Sequence, residues 1–388
     1  MNAPLEGVRV IDLCTRLNGS YCTMLLGDLG AEVIKVERPG MTAAARQEGV
    51  ILPPTGRNKK SLTLNLKSKE AKKIFSRLVE KSDVVVSAYL PEIAQKLQVD
   101  YSNLNNINKN IIYCSITGYG QDGPYKDRPS HDVDCLGVSG VLSIPGDYHT
   151  HLQPRPGLPI GTLSANVFAV TSILAALLVR PKLGRGQFID VSAAETLLSF
   201  ASVRAGKLMI EGAMPERNEW LHISPTTGVY ETKDGKQFII GLVEETLWEN
   251  FCEACGRVDL LEDERFTTAS ARNMNYQDLC EILKELFLTK TRDEWTKIME
   301  NARICFSPVN DLEEAFMDRH FNNRGMVGEV DFPGIGKIKQ ITFPVKFSET
   351  PAQIKHGPPA LGENNKEILT QLGYTIEEVK SYVERGVI

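Results

Sequence analysis

The sequence predicts an α/β fold in which a large Rossmann-like domain, with an open and mostly parallel sheet, is joined to a smaller α+β domain. Three observations predict it. β-branched runs alternate with helical stretches from residue 7 to residue 209, the rhythm of βαβ units wound around a parallel sheet. From about residue 225 that rhythm gives way to a hairpin followed by helices. The length of 388 residues exceeds a single domain of roughly 100 to 200 residues, and it can bury a large core without disulfides or metal.

The elements follow in order. Gly7-Val-Arg-Val-Ile-Asp-Leu13 and Glu32-Val-Ile-Lys-Val-Glu-Arg38 read as strands, and Tyr21 to Gly30 between them has helical spacing with a glycine stop. Next come a strand over 61–66, a helix over 69–81, a strand over 83–89, a short helix and a strand over 111–117. An apolar helix over 163–179, a strand over 187–191 and a helix over 193–209 complete the alternation. Beyond it, Gly228 to Thr232 and Gln237 to Gly241 pair as a hairpin around Asp234-Gly235. Thr291-Arg-Asp-Glu294 is a capping box that opens a helix. The tail from Gly334, with its helix capped at Thr375, reads as a further sheet-plus-helix element. The expected division is 1–210 with 330–388 as the large domain and 225–315 as the small one.

Composition excludes several classes of function. With 44 Lys and Arg against 49 Asp and Glu the net charge is −5, so neither nucleic acid nor an anionic membrane surface is an expected partner. The stretch 163–179 carries no charge, but Ser164, Asn166 and Thr171 interrupt it, and it falls short of the ~20 residues of a spanning helix. The N-terminus lacks the basic and apolar regions of a secretory signal. The eight cysteines are scattered, mostly in apolar surroundings, as free thiols in a reducing compartment would be. A cytoplasmic location is expected.

Generic motifs are sparse. No G-x-G-x-x-G follows the first strand and no P-loop occurs, which removes support from dinucleotide and ATP readings. Neither a G-x-S-x-G elbow nor H-E-x-x-H is present. Cys252 and Cys255 form a lone C-x-x-C in a helical stretch, and His149 and His151 stand in a polar loop without a third ligand, so no metal is expected. That loop, Pro145 to Leu158, also carries Asp147 and Arg155 and is a candidate substrate-facing segment.

Longer segments are more specific. They are Leu5-Glu-Gly-Val-Arg-Val-Ile-Asp-Leu13, Leu29-Gly-Ala-Glu-Val-Ile-Lys-Val-Glu-Arg-Pro-Gly40, Asn58-Lys-Lys-Ser-Leu-Thr-Leu-Asn-Leu-Lys67 and Ser115-Ile-Thr-Gly-Tyr-Gly-Gln-Asp-Gly-Pro124. Gly184-Arg-Gly-Gln-Phe-Ile-Asp-Val191, Ser307-Pro-Val-Asn310 and Leu361-Gly-Glu-Asn-Asn-Lys-Glu-Ile-Leu369 continue the series. In these the chain resembles the family III CoA-transferases, a family that also contains the α-methylacyl-CoA racemases. The resemblance implies coenzyme A thioesters as ligands and two subunits interlocked like links of a chain. It implies that Arg38, Leu64, Lys67, Tyr89 and Lys96, with the loop residues Arg16, Leu17 and Asn18, hold the adenosine, phosphates and pantetheine arm. The cations suit such a ligand, because Arg and Lys pair with phosphate charge. Two departures stand out: Ser20 occupies a position where proline is frequent, and Ser87-Ala-Tyr-Leu90 replaces the usual Glu-Asn-Phe.

In the transferases of this family an aspartate in a G-D-L-S-A-G type segment attacks the acyl-CoA carbonyl. The CoA thiolate then converts the mixed anhydride into an enzyme-bound thioester, a covalent route that splits one difficult exchange into easier steps. Here the segment reads Pro159-Ile-Gly-Thr-Leu-Ser-Ala-Asn166, and Thr162 stands in the aspartate's place. A threonine ester would not re-form a thioester as an anhydride does. Asp132, Asp134 and Asp147 are the nearest upstream carboxylates. Ser130-His131-Asp132 also matches the segment that carries the racemase histidine, with Glu244 where a supporting carboxylate stands. Three readings follow. The first is a CoA-transferase with a substitute carboxylate, or as one subunit of a heteromer whose homologous sister carries the aspartate. The second is a racemase-like enzyme using His131 and Glu244, and the third a non-catalytic acyl-CoA-binding partner subunit.

Overall fold

Six short strands, four of them rich in Val and Ile and largely buried, pair in parallel in the computed structural model. It describes residues 3–41, 54–144, 157–216, 223–332 and 336–388. They are β1 (Arg9–Asp12), β2 (Glu32–Glu37), β3 (Lys59–Thr63), β4 (Val84–Ser87), β5 (Ile112–Thr117) and β6 (Phe188–Ser192). The order is β3-β2-β1-β4-β5-β6, with Ile11 of β1 registered against Ile34 on one side and Val85 on the other. Every pairing in this sheet is parallel, as expected where continuous apolar strands are covered on both faces.

The covering helices are α1 (Leu17–Asp28), α2 (Lys69–Glu80), α3 (Pro91–Leu97), α4 (Tyr101–Ile107), α5 (Asp132–Val138), α6 (Ile160–Leu183) and α7 (Ala193–Ala201). α2 illustrates why. Ser68 caps it by accepting the Ala71 N–H, and Ala71, Ile74, Phe75, Leu78 and Val79 form a single buried stripe. α6 is apolar along its length but buries one face only, through Ala165, Asn166, Ala169, Ile173 and Ala176. Val167, Phe168 and Leu178 on its other side are exposed, as are Leu198 and Phe200 of α7. Among the described residues α6 is the one helix long and apolar enough to cross a membrane by length and composition.

The chain forms two compact units. One comprises residues up to Val141, the stretch ending at Ala201, and Arg319–Ile388; the other includes Ser202–Asp318. The C-terminal segment joins the first unit through its asparagines. Asn364 and Asn365 accept the Ser61 and Thr63 N–H groups on the outer edge of β3 at 3.0 and 2.8 Å. An edge strand is thereby closed without another strand. Buried Arg57, on Asp28 at 2.6 Å, also donates to the Ile341 carbonyl, tying a second tail segment to α1.

In the second unit the expected hairpin is present, Val229–Glu231 against Gln237–Ile240, with Gly235 at φ +70° in its turn. It has a third strand that periodicity did not reveal, Phe306–Pro308, too short for a pattern of its own. Thr291 opens the helix Arg292–Glu300 with the anticipated capping box. The helix expected over 193–209 is two helices. Ser202–Arg204 turn between α7 and Gly206–Glu211, where the chain passes from one unit to the other.

Candidate active site

The site follows from the strand order. β1 has β2 on one side and β4 on the other, so the loops leaving the carboxyl ends of β1 and β4 diverge and leave a crevice at this switch point. The loop after β1 turns at Gly19, whose φ is +83° and whose absent Cβ would lie 2.1 Å from Cys14 Sγ. Only glycine fits there. Against this loop opens a cleft of about 910 Å³, lined by Thr15 and Ser20 after β1, Lys35 to Met41 around the end of β2, and Leu64 to Lys67 after β3. Tyr89 after β4 and the chain terminus at Ile388 close its sides.

The floor of the cleft is ionic. Asp12, fully buried at the end of β1, accepts Lys59 Nζ at 2.9 Å, Thr23 Oγ1 at 2.8 Å and the Cys14 N–H at 2.8 Å. Lys59 is equally buried and also donates to the Ser20 carbonyl and to Thr23 Oγ1. Lys35 Nζ bonds the Cys14 carbonyl and lies 3.8 Å from Asp12. Burial alone would raise the Asp12 carboxyl, but Lys35 and Lys59 outweigh it and hold it well below the usual carboxylate range. Burial pulls Lys59 down, against the pull of Asp12. Two lysines around one aspartate leave net positive charge beneath a cleft that Arg38 and Lys67 also line. Burial pushes the Tyr89 phenol up, so it stays a neutral donor, and the Cys14 and Cys22 thiols are pushed up too and stay protonated.

The first turn of α6 is built differently. The Thr162 N–H donates to Asp132 Oδ1 at 2.7 Å, which seats a carboxylate on a helix N-terminus. Asn166, fully buried, donates to the Thr162 carbonyl at 2.7 Å, and its Oδ1 accepts the Gly19 and Cys22 N–H groups at 3.0 and 2.8 Å. This side chain ties α6 to the start of α1. His131, at the N-cap of α5, is exposed, and its backbone N–H donates to Asp134 Oδ2. Glu244 is exposed at the N-cap of the helix Glu245–Cys255 in the second unit. Cys252 in that helix is buried, and its thiol is pushed up to about 12 by burial.

The structure brings Arg38, Leu64, Lys67 and Tyr89 together around the cleft. Lys96 is exposed on α3 and is not among the lining residues, although Leu97 beside it is. Arg16, Leu17 and Asn18 lie between the lining residues Thr15 and Ser20, and Asn18 Nδ2 donates to the Ile116 carbonyl of β5. Asp132 and Thr162 meet, as described. Asp147, His149 and His151, with most of the loop that carries them, lie outside the described residues. Sequence reasoning did not single out Lys35 and Lys59. For Lys35, a charge inside the β-branched run of β2 is the signal that could have found it, because an apolar strand tolerates a lysine only with a buried partner; Lys59 opens the polar start of β3 and carries no such signal.

A family model described as CoA-transferase family III matches residues 5–365. The chain belongs to CoA-transferase family III. It is 32% identical to the human succinyl-CoA:glutarate CoA-transferase, over 99% of this chain and 90% of that one. It is 30% identical to the succinyl-CoA–L-malate CoA-transferase beta subunit of Chloroflexus aurantiacus, over 99% and 98%. The crystal structure of a CaiB/BaiF family protein from Brucella suis superposes with a TM-score of 0.83 at 28% identity, covering 96% of this chain and all of that one. The protein is thus a family III CoA-transferase, an enzyme that moves CoA between carboxylic acids through acyl-CoA thioesters.

Proposed function

We propose that this CoA-transferase holds its CoA thioester in the switch-point cleft and works as one subunit of a heteromer. A homologous sister chain supplies the aspartate that Thr162 replaces. One observation carries the reading: the cleft is lined by four cations, Lys35, Arg38, Lys59 and Lys67, while the first turn of α6 has a hydroxyl in place of the acyl-carrying carboxylate. Binding and chemistry are separable in such a subunit. The carbonyl of a bound thioester needs a carboxylate to form a mixed anhydride, and a threonine at the usual pKa of a hydroxyl cannot take that role.

The acids exchanged are short dicarboxylates, as in the names of the succinyl-CoA:glutarate and succinyl-CoA–L-malate relatives, the second of which is itself named as a subunit. Interlocking of two chains accords with the apolar side chains left exposed on α6 and α7, among them Phe168, Leu178, Leu198 and Phe200. Eight free cysteines, most of them buried, accord with a reducing cytoplasm. The racemase-like reading on His131 and Glu244, and the purely binding one, are not favoured beside relatives named as transferases.

A second reading has its own observation. Asp132 already touches the Thr162 backbone, so it is the carboxylate placed to substitute for the missing one within a single chain. Incubating the protein with succinyl-CoA and a panel of free acids, alone and with an aspartate-bearing homologue, separates the two by mass spectrometry of the CoA esters. New esters only in the mixture support the heteromer. Turnover by the isolated chain sinks it, and loss of that turnover in Asp132→Asn would transfer the role to Asp132.

A further inference from the structure

Ser20 opens the regular part of α1, since Asn18 and Gly19 before it have non-helical backbone angles. A serine at a helix start ordinarily caps the exposed N–H groups. Here that role is taken: Asn166 Oδ1 already accepts the Gly19 and Cys22 N–H groups. The Ser20 hydroxyl is left over. The residue is 2% exposed, its Oγ has no hydrogen-bond partner among the described residues, and it lies in the wall of the cleft. Its carbonyl is engaged by Lys59. Buried hydroxyls are rarely left unpaired, because desolvation without a partner is costly.

The surroundings say what kind of partner is missing. Lys59 Nζ has three acceptors, Asp12, Ser20 O and Thr23, so its donors are used within the protein. Lys35 Nζ has only the Cys14 carbonyl within hydrogen-bond distance among the described residues; its side chain is 14% exposed and it lines the same cleft. A neutral donor and a cation therefore flank one wall, with a surplus of positive charge around Asp12. Such a pair suits an acceptor oxygen that carries negative charge.

We propose that Ser20 Oγ donates to a phosphoryl oxygen of the bound CoA thioester, beside Lys35. Ser20 is a positioning residue for the ligand. The inference rests on the reading of the cleft as the CoA site. A proline at this position could not donate.

The test uses an opposition of signs. Ser20→Ala removes an unmet hydroxyl from the free protein, so its melting temperature holds or rises, while affinity for CoA falls about three- to tenfold. Calorimetric titration with 3′,5′-ADP, which keeps phosphates, reproduces the loss, and titration with pantetheine does not. Ser20→Cys keeps most of the volume but is a poor donor, and it behaves as Ser20→Ala. Unchanged CoA affinity in Ser20→Ala would overturn the proposal, as would a melting temperature that falls with the affinity. Wild-type affinity in Ser20→Cys would reduce the effect to packing, and a loss confined to pantetheine would remove the phosphoryl assignment. Failure of the wild-type protein to bind CoA at all would instead remove the parent reading of the cleft.

Discussion

The floor of the cleft and the first turn of α6 belong to the same unit, yet they are finished to different degrees. Under the cleft, Asp12, Lys59 and Thr23 saturate one another, and the arrangement is complete without a ligand. At α6 the Asp132 and Asn166 side chains satisfy the backbone of Thr162, while no side chain of the turn supplies the carboxylate of the family's chemistry. On the proposed reading, the difference teaches that a ligand site held by the sheet can persist when one reactive side chain has changed. Strand register and buried charge hold the first; a single residue identity decides the second.

The comparison breaks most sharply at Thr162. Thr162→Asp is expected to give the isolated chain CoA transfer on the order of 10³-fold or more above its own background, as removal and restoration of a nucleophile do elsewhere; ester exchange followed by mass spectrometry measures it. An unaltered rate would mean that more than the nucleophile is missing. On the other side, Lys59→Met leaves Asp12 buried without its closest cation and should destabilise by about 3 to 5 kcal/mol, read by chemical denaturation. A smaller loss would show Lys35 able to take over.

Arg38→Ala should weaken CoA binding about tenfold or somewhat more, the worth of a charge-assisted hydrogen bond, with little change in melting temperature because Arg38 is exposed. Binding by wild type should also weaken with salt. Stability should depend on pH in the acid range through Asp12. Its folded carboxyl titrates below its unfolded one, so the stabilisation is fully present above about pH 4 and is lost as pH falls, by about 1.4 kcal/mol per unit. Asp12→Asn should flatten that slope in urea titrations between pH 5 and pH 3. His131→Ala, at an exposed helix start, is expected to change stability by no more than about 0.5 kcal/mol and to leave CoA transfer by the complex intact. A large loss of rate would reopen proton chemistry at α5.

Much of the fold is legible in the sequence. Four of the six strands, β1, β2, β4 and β5, are marked by β-branched residues, and the hairpin in the second unit by Asp234-Gly235, because turn chemistry and strand composition are local. Arg38, Leu64, Lys67 and Tyr89 follow from motif positions and do meet at one cleft. Lys35 and Lys59 stand in plain view inside those motifs, but a one-dimensional reading cannot say that both converge on Asp12. The link from Asn166 to Gly19 joins residues far apart in the chain and leaves no periodic trace.

By itself the sequence determined the alternation of strands and helices, the family, the cations Arg38 and Lys67 that line the cleft and the absence of a carboxylate at Thr162, all of which are carried by residue identity and local spacing. Only the tertiary structure decided the strand order that opens the crevice between β1 and β4, the placement of Ile388 on its rim, the seating of Asp132 on α6 and the stranding of the Ser20 hydroxyl. Those depend on which distant groups arrive at the same point, and the free energy of such meetings is set by packing across the fold rather than by neighbours in the chain.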